Sequence, residues 1–218
     1  MKHIALSLAI TIALAGCMTI DPLTGEAKMS NTSKAAMTGA AIGTILGLAV
    51  SKDDRKKGAI IGAGIGALSG AAVGAYMDKQ ENELREKLEG TGVSVTRDGD
   101  NLILNMPSNI TFDSGDSQLK ADFQKTMSGV VVVLEEYEST LITIDGHTDS
   151  VGAESFNQSL SEQRALSVAE YLDASGIQIE RIAAFGHGEM KPIASNATDT
   201  GRSSNRRVEL TLEPLTEE

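Results

Sequence analysis

The chain reads Asp145-Gly146-His147-Thr148-Asp149-Ser150-Val151-Gly152 at the point where a short strand pattern, Leu141 to Asp145, ends. Two capping-box patterns, which start at Ser155 and Ser159, predict that a helix begins near residues 156–161. The polar stretch is therefore expected to form a loop between the end of a strand and the start of a helix. This loop is the first candidate for a functional site.

The predicted helix carries an arginine on the face that should be buried. Arg164 lies four residues after Leu160 and four before Val168, within the apolar stripe. Arginine is rarely buried without a partner, and its planar guanidinium suits a carboxylate, for which Asp149 is a natural candidate. Two interpretations stay open: an internal salt bridge between Asp149 and Arg164, or two charges that flank one zwitterion. In the second, the aspartate binds an ammonium and the arginine binds a carboxylate.

The remaining patterns predict an α+β domain with the element order ββαβαββ, in which two helices cover one mixed sheet. An Asp-Gly turn at Asp98-Gly99 joins the two strands of a hairpin. The first helix is predicted at Gln118 to Tyr137, and the second should run to Ser175 and stop at Gly176. The last two strands are expected at Ile179 to Phe185 and around Val208, Leu210 and Leu212.

The motifs of this region resemble those of the OmpA-like peptidoglycan-binding domain, which is shared by OmpA C-termini, Pal and MotB. The similarity covers roughly Val93 to Leu212, so we assign residues 93–213 to such a domain. The motifs that carry it are Gly146-His147-Thr148-Asp149-Ser150-x-Gly152, Asn157, Leu160-Ser161-x-x-Arg164-Ala165, Gly186, Pro192, Asn196 and Gly201-Arg202-x-x-Asn205-Arg206-Arg207-Val208-Glu209.

The resemblance implies a ligand and the residues that hold it. In that family the residues matching Asp149 and Arg164 bind the diaminopimelate of the peptidoglycan stem peptide. The resemblance places Asn157 in the same pocket, backbone N–H groups near Thr148 beside the ligand, and Phe112 at the pocket edge. Two further arginines of the last motif, Arg206 and Arg207, are expected to brace the final strand through ion pairs.

A hydrolase is the rival class of function. His147, Asp149 and His187 could form a metal site, since two histidines and a carboxylate can hold zinc. The sequence has no His-Glu-x-x-His motif, and Ser150 and Ser195 lack a nucleophile-elbow sequence. We therefore expect a protein that is not an enzyme and that uses neither a metal nor a cofactor.

The N-terminus has the pattern of a bacterial lipoprotein signal. A basic start and a short apolar run precede Leu14-Ala15-Gly16-Cys17, which resembles a lipobox. The resemblance implies that residues 1–16 are removed and that Cys17, the only cysteine of the chain, is acylated with chains such as palmitate. Met18 follows the cysteine, where lipoproteins kept at the inner membrane commonly carry aspartate. This favours the outer membrane, with the C-terminal domain in the periplasm.

Two glycine-rich segments, 35–50 and 58–77, lie on either side of a charged turn at Ser51–Lys57. Their glycines recur every fourth residue, so each segment would form a helix with a strip of small residues along one face. Such strips let helices approach closely in lipid, which predicts a glycine-zipper helical hairpin at 35–77 and a possible homo-oligomer. A hairpin inserted in the membrane, a soluble hairpin packed on itself and a flexible spacer all fit the pattern.

The other segments complete the domain organisation. Residues 17–34 are expected to be a lipidated linker, and residues 78–92 a polar, solvated linker helix that ends at Gly90. A net charge of −11 argues against nucleic acid as a partner. As a whole, the chain resembles YiaD-type outer-membrane lipoproteins, which implies a tether between the outer membrane and peptidoglycan. The alternative is a glycine-zipper oligomer or pore that the C-terminal domain only positions.

The lipobox can be tested by replacing Cys17 with serine. A serine hydroxyl cannot form the thioether of a lipoprotein, so incorporation of radioactive fatty acid should fall to background and the precursor should accumulate. Incorporation at the wild-type level would show that this segment is not a lipobox.

Overall fold

The computed structural model describes residues 18–20, 27–29 and 66–216 of the chain. Strands β1 (Met18–Ile20) and β2 (Ala27–Met29) pair antiparallel in a first unit, residues 1–41. The second unit, residues 42–218, contains the other elements that the structure describes. The predicted signal peptide, Cys17 and residues 35–65 of the predicted hairpin lie outside the described residues.

The second unit follows the predicted order ββαβαββ, with one long helix before it and two short helices inserted. Its elements are α1 (Gly70–Leu88), β3 (Ser94–Asp98), β4 (Asn101–Pro107), α2 (Ser108–Thr111), α3 (Ala121–Glu136), β5 (Thr140–His147), α4 (Glu154–Ala174), a 3₁₀ turn (Ile179–Arg181), β6 (Ile182–Gly186), α5 (Asp199–Asn205) and β7 (Arg207–Pro214).

The five strands β3 to β7 form one mixed sheet in the order β3-β4-β7-β5-β6. Only β5 and β6 run parallel among these pairs, and α4 makes the crossover between them. The last strand, β7, lies in the middle of the sheet, between β4 and β5. Because β7 is central, the residues just before it are brought beside the end of β5, where the polar loop begins.

The core forms on one face of this sheet. Alternate residues of the strands point inward, as the period of two requires. Helices α1, α3 and α4 contribute to the same hydrophobic cluster as these strand residues. The inward strand residues that are buried in it are Val95, Leu102, Leu104, Met106, Ile142, Ile144, Ile182, Ala184, Val208, Leu210 and Leu212. The predicted α+β class, with helices packed on a mixed sheet, is confirmed.

Helix α1 is not the solvated linker that the sequence predicts. It begins at Gly70, inside the predicted hairpin, and runs without a break past residue 78 to Leu88. One stripe of it is buried in the core: Val73, Met77, Gln80, Leu84 and Leu88. The stripe keeps helical spacing from Val73 to Leu88 and therefore crosses the boundary between the two predicted segments, 58–77 and 78–89. Neither segment contains enough of the stripe to show it alone.

Further contacts attach α1 to the rest of the unit. The rings of Tyr76 and Tyr137 pack edge to face with centroids 5.1 Å apart. The Tyr137 hydroxyl donates to Glu83 at 2.6 Å, and the Tyr76 hydroxyl accepts from the Ser139 N–H at 2.9 Å. Of the helices that the structure describes, none is both long enough and apolar enough to cross a membrane.

The start of α4 corrects a second prediction. The helix begins at Glu154 with Ala153 as its N-cap, so Ser155 and Ser159 lie inside it and neither caps it. The end is as expected, because Gly176 adopts a positive φ of 98°, which favours glycine. The strand predicted at Ile179 to Phe185 begins as a 3₁₀ turn and becomes extended only at Ile182.

The role of α1 in the fold can be measured with Leu84→Ala. Leu84 is fully buried in the core, so the substitution should lower the free energy of unfolding by about 2–5 kcal/mol. The matched control is Glu86→Ala, at an exposed position of the same helix, which should change stability by less than about 0.5 kcal/mol. Equal stabilities of the two variants in urea unfolding would mean that α1 is a detached linker after all.

Candidate functional site

The five residues singled out for ligand binding lie around one cavity of about 550 Å³. They come from three places in the chain: the loop after β5, helix α4, and the C-terminal end of the short helix α2. The residues are Phe112, Thr148, Asp149, Asn157 and Arg164. The sequence therefore predicted residues that the fold brings together.

Two glycines let α4 lie directly on the sheet beside this cavity. A Cβ atom built on Gly146 in β5 would overlap the carbonyl oxygen of Ser161, which is a backbone atom of α4. A Cβ atom on Gly186 in β6 would overlap the backbone nitrogen of Glu162. Only glycine permits this close approach. It fixes the height of α4 above the strand ends and therefore the positions of Asn157 and Arg164.

Arg164 is buried, with 3% of its surface exposed, and none of the described residues offers it a carboxylate within 4.0 Å. Its Nε donates to the Asp116 carbonyl oxygen at 2.9 Å, and its Nη1 to the Ser108 hydroxyl at 3.4 Å. The guanidinium carbon lies 5.0 Å from the centre of the Phe112 ring. Burial first, and then the nearby charge of Arg206, lower the pKa of this guanidinium.

A second buried arginine shows what a fully partnered guanidinium looks like in this fold. Arg181 is also 3% exposed, but all three of its nitrogens donate to oxygen atoms at the end of α3 and the start of β5. Arg164 has no comparable set of acceptors in the described part of the chain: its Nη2 group makes no hydrogen bond there. Its charge is therefore available to an anion in the cavity.

Asp149 does not pair with Arg164, so the internal salt bridge between them is not formed. One carboxylate oxygen accepts from the Val151 N–H at 2.9 Å, and the other from Nη1 of Arg206 at 2.5 Å. The prediction that Arg206 braces the last strand is wrong, because its side chain reaches the cavity instead. Arg207 does brace β7, through Glu209 at 2.7 Å.

The Asn157 amide and the Thr148 N–H both donate hydrogen bonds within the protein and so hold the loop after β5 in place. The Asn157 amide donates to the Asp149 carbonyl oxygen at 3.2 Å and to Glu189 at 2.7 Å, which ties α4 to two loops. The Thr148 N–H donates to the Gly188 carbonyl oxygen at 2.9 Å. This N–H is thus already used within the protein, and the expectation that backbone N–H groups near Thr148 lie beside the ligand stays a prediction for its neighbours.

Further residues of the cavity escaped the sequence analysis. Lys120, Arg202 and Arg206 bring three more cations to it, and Asp113 brings a second carboxylate. Arg202 and Arg206 belong to the last motif of the sequence. They are four residues apart at the C-terminal end of α5, so they lie on the same face of that helix end. For Lys120 there was no local signal, because its segment meets the loop after β5 only in the folded chain.

His147 and His187 form a separate group beside the sheet. The rings of His147 and His187 stack with centroids 5.2 Å apart, and His187 pairs with Asp145 at 2.5 Å. Burial, followed by the charges of Arg207 and His187, lowers the pKa of His147 to about 3. Asp149 faces Arg206 instead, and the described residues include no group of three side chains placed to share a metal ion.

Comparison with known proteins identifies the family. A model of the OmpA family matches residues 111–206, and a model of the YMGG-like Gly-zipper matches residues 1–78. The probable lipoprotein YiaD of Escherichia coli (strain K12) is 50% identical over 205 residues, which cover 94% of this chain and 93% of YiaD. The chain belongs to the OmpA family, in the group that contains YiaD.

Two more proteins are similar to part of this chain. The peptidoglycan-binding protein ArfA of Mycobacterium tuberculosis is 43% identical over 100 residues, which cover 46% of this chain and 30% of ArfA. The structure of the cell wall anchor of the T6SS from Pseudomonas aeruginosa superposes with a TM-score of 0.55 at 26% identity. That match covers 62% of this chain and 99% of the other.

The close approach of α4 to β5 can be tested with Gly146→Ala. The added methyl group would meet backbone that cannot rotate away, so the variant should lose about 1–3 kcal/mol of stability or more. Gly129→Ala is the matched control: its Cβ would lie 3.5 Å from the Lys87 Cβ, in ordinary contact, within helix α3. That variant should be as stable as the wild type or gain about 0.5–1 kcal/mol. A stable Gly146→Ala variant in thermal unfolding would contradict the packing described above.

Proposed function

We propose that this protein is a non-catalytic tether between the outer membrane and the cell wall. Its N-terminal cysteine carries the lipid anchor, and its C-terminal domain lies in the periplasm and binds peptidoglycan without forming a covalent bond. The ligand group is the free end of an uncrosslinked diaminopimelate residue. That end carries an ammonium and a carboxylate on one carbon atom.

The observation that carries this proposal is the unpaired, buried guanidinium of Arg164 in the same cavity as Asp149. A buried cation without a counterion is costly, and a ligand carboxylate would relieve that cost through charge-assisted hydrogen bonds. Asp149 supplies the opposite charge for the ligand ammonium. An arginine and an aspartate that line one cavity from different elements fit a zwitterion better than an ion of one sign.

The relatives support the same class of ligand. ArfA is named a peptidoglycan-binding protein, and its similarity to this chain spans 100 residues. The structural neighbour from P. aeruginosa is a cell wall anchor, and nearly its whole length superposes on this chain. The assignment of diaminopimelate, and of Asp149 and Arg164 as its ligands, goes beyond these relatives and rests on the cavity.

Support for the membrane end comes from the N-terminal sequence and from YiaD. YiaD is described as a probable lipoprotein, and it is similar to this chain over nearly its full length. Attachment through a multiply acylated Cys17 would be stable, because more than one acyl chain is needed for lasting membrane anchoring. The rest of the chain can then act from the membrane surface without a spanning helix.

The binding site is tested by pull-down with purified peptidoglycan. Removing one partner of a desolvated charged contact costs about 2–5 kcal/mol. Asp149→Ala and Arg164→Ala should therefore each weaken binding by roughly 30-fold to several thousand-fold. Asp122→Ala and Lys125→Ala are matched controls, because they remove an exposed ion pair on α3 outside the cavity.

Circular dichroism should show that all four variants remain folded. Wild-type binding by a folded double variant that lacks both Asp149 and Arg164 side chains would contradict the proposed site. A loss of binding in the controls as well would point to a general effect of charge on the acidic protein.

A further inference from the structure

The cations around the cavity differ in whether they are already paired. Lys120 lies 3.3 Å from Asp113, Arg202 pairs with Asp199, and Arg206 pairs with Asp149. Arg164 has no carboxylate partner among the described residues. Arg164 is thus the cation of this group without an ion-pair partner, and a single ligand carboxylate would neutralise it.

A zwitterion changes this balance when it binds as proposed. Its carboxylate neutralises Arg164, and its ammonium takes the carboxylate of Asp149. That carboxylate is the one that Arg206 holds at 2.5 Å, while its second oxygen is already bound by the Val151 N–H. A carboxylate has about four acceptor sites, so Asp149 can bind the ammonium and still accept from Arg206, but its single negative charge is then shared between two cations. No other carboxylate in the described structure lies within 4.0 Å of Arg206.

The position of Arg206 allows it to contact the ligand once the ammonium is bound to Asp149. Its side chain is 42% exposed, whereas the Asp149 side chain is 10% exposed, so the arginine can move while the aspartate stays fixed. It follows the last residue of α5 and lies on the cavity wall with Arg202. A long, flexible cation at the rim of a cavity can reach a ligand group that lies outside it.

We infer that Arg206, which must then share the charge of Asp149 with the ligand ammonium, binds a second carboxylate of the ligand, so that the site selects stem peptides with a free carboxylate beside the diaminopimelate zwitterion. This inference rests on the proposed function and names the further chemical group that the same site recognises. In a stem peptide the second carboxylate can come from the α-carboxyl group of D-glutamate or from the C-terminal carboxyl group. Amidation of the relevant group removes its charge and should weaken binding.

Three synthetic peptides separate these sources. The first is L-Ala-γ-D-Glu-meso-diaminopimelate with both carboxyl groups free, the second has the D-glutamate α-carboxyl group amidated, and the third has the C-terminal carboxyl group amidated. Wild-type protein, measured by calorimetry, should prefer the first peptide over one of the two amides. We expect a preference of about 3- to 10-fold, because water screens a half-exposed ion pair.

The deciding variant is Arg206→Gln. It should bind the preferred peptide and its amide with equal affinity, while Arg206→Lys should keep part of the preference. Lys125→Gln makes the same charge change at an exposed position outside the cavity and should discriminate like the wild type. The readout is the ratio of two affinities, which a variant that merely perturbs the loop would leave unchanged.

Two results would overturn the inference alone: wild-type protein that binds all three peptides equally, or an Arg206→Gln variant that keeps the wild-type preference. The second result would mean that Arg206 only positions Asp149. If wild-type protein bound none of the peptides, the proposed function would fail, and this inference with it.

Discussion

Contact between the backbone of α4 and the strand ends sets the geometry of the whole site. Gly146 and Gly186 lie on the two parallel strands, and α4, which connects these strands, passes directly over both. Any side chain at either position would lift the helix away from the sheet. The two glycines thus allow α4 to pack on the sheet, and this packing places Arg164 and Asn157 at the cavity.

The burial of Arg164 follows from that contact and is the source of the site's chemistry. A helix held so close to the sheet must bury the stripe that faces the sheet, and Arg164 lies within this stripe. In Arg181 the same burial is compensated by carbonyl and hydroxyl oxygens. In Arg164 the compensation is incomplete, which costs folding free energy and, in the proposed function, favours the binding of a ligand carboxylate.

Much of the domain could be predicted from the sequence because its signals are local. Alternating apolar and polar residues predicted the strands. Gly99 predicted the turn of the β3–β4 hairpin, and Gly176 predicted the end of α4. Arg164 stood out as a charged residue within an apolar stripe. These local patterns gave a wrong prediction for the start of α4 and missed the buried stripe of α1. Ser155 and Ser159 fit a capping box but lie within α4, since the helix begins earlier, at Glu154. The buried stripe of α1 was missed because it spans a glycine-rich and a charged segment.

Which charged side chains pair between distant segments could not be predicted from the sequence. Asp149 and Arg164 were correctly placed in one cavity, but the pairing of Asp149 with Arg206 depends on β7 lying next to β5 in the sheet. Periodicity along the chain carries no information about strand order. The same holds for Lys120 and Asp113, which reach the cavity from the segment between α2 and α3. The charge balance of the site therefore became visible only with the fold.

The central claim is that the free cation at Arg164 binds the carboxylate of a diaminopimelate zwitterion. A crystal structure of the protein with L-Ala-γ-D-Glu-meso-diaminopimelate tests it most directly. The account predicts the carboxylate of the free amino-acid centre within hydrogen-bond distance of the Arg164 guanidinium, and the ammonium on the same carbon against Asp149. A peptide bound elsewhere, with Arg164 untouched and Asp149 still held by Arg206, would contradict it.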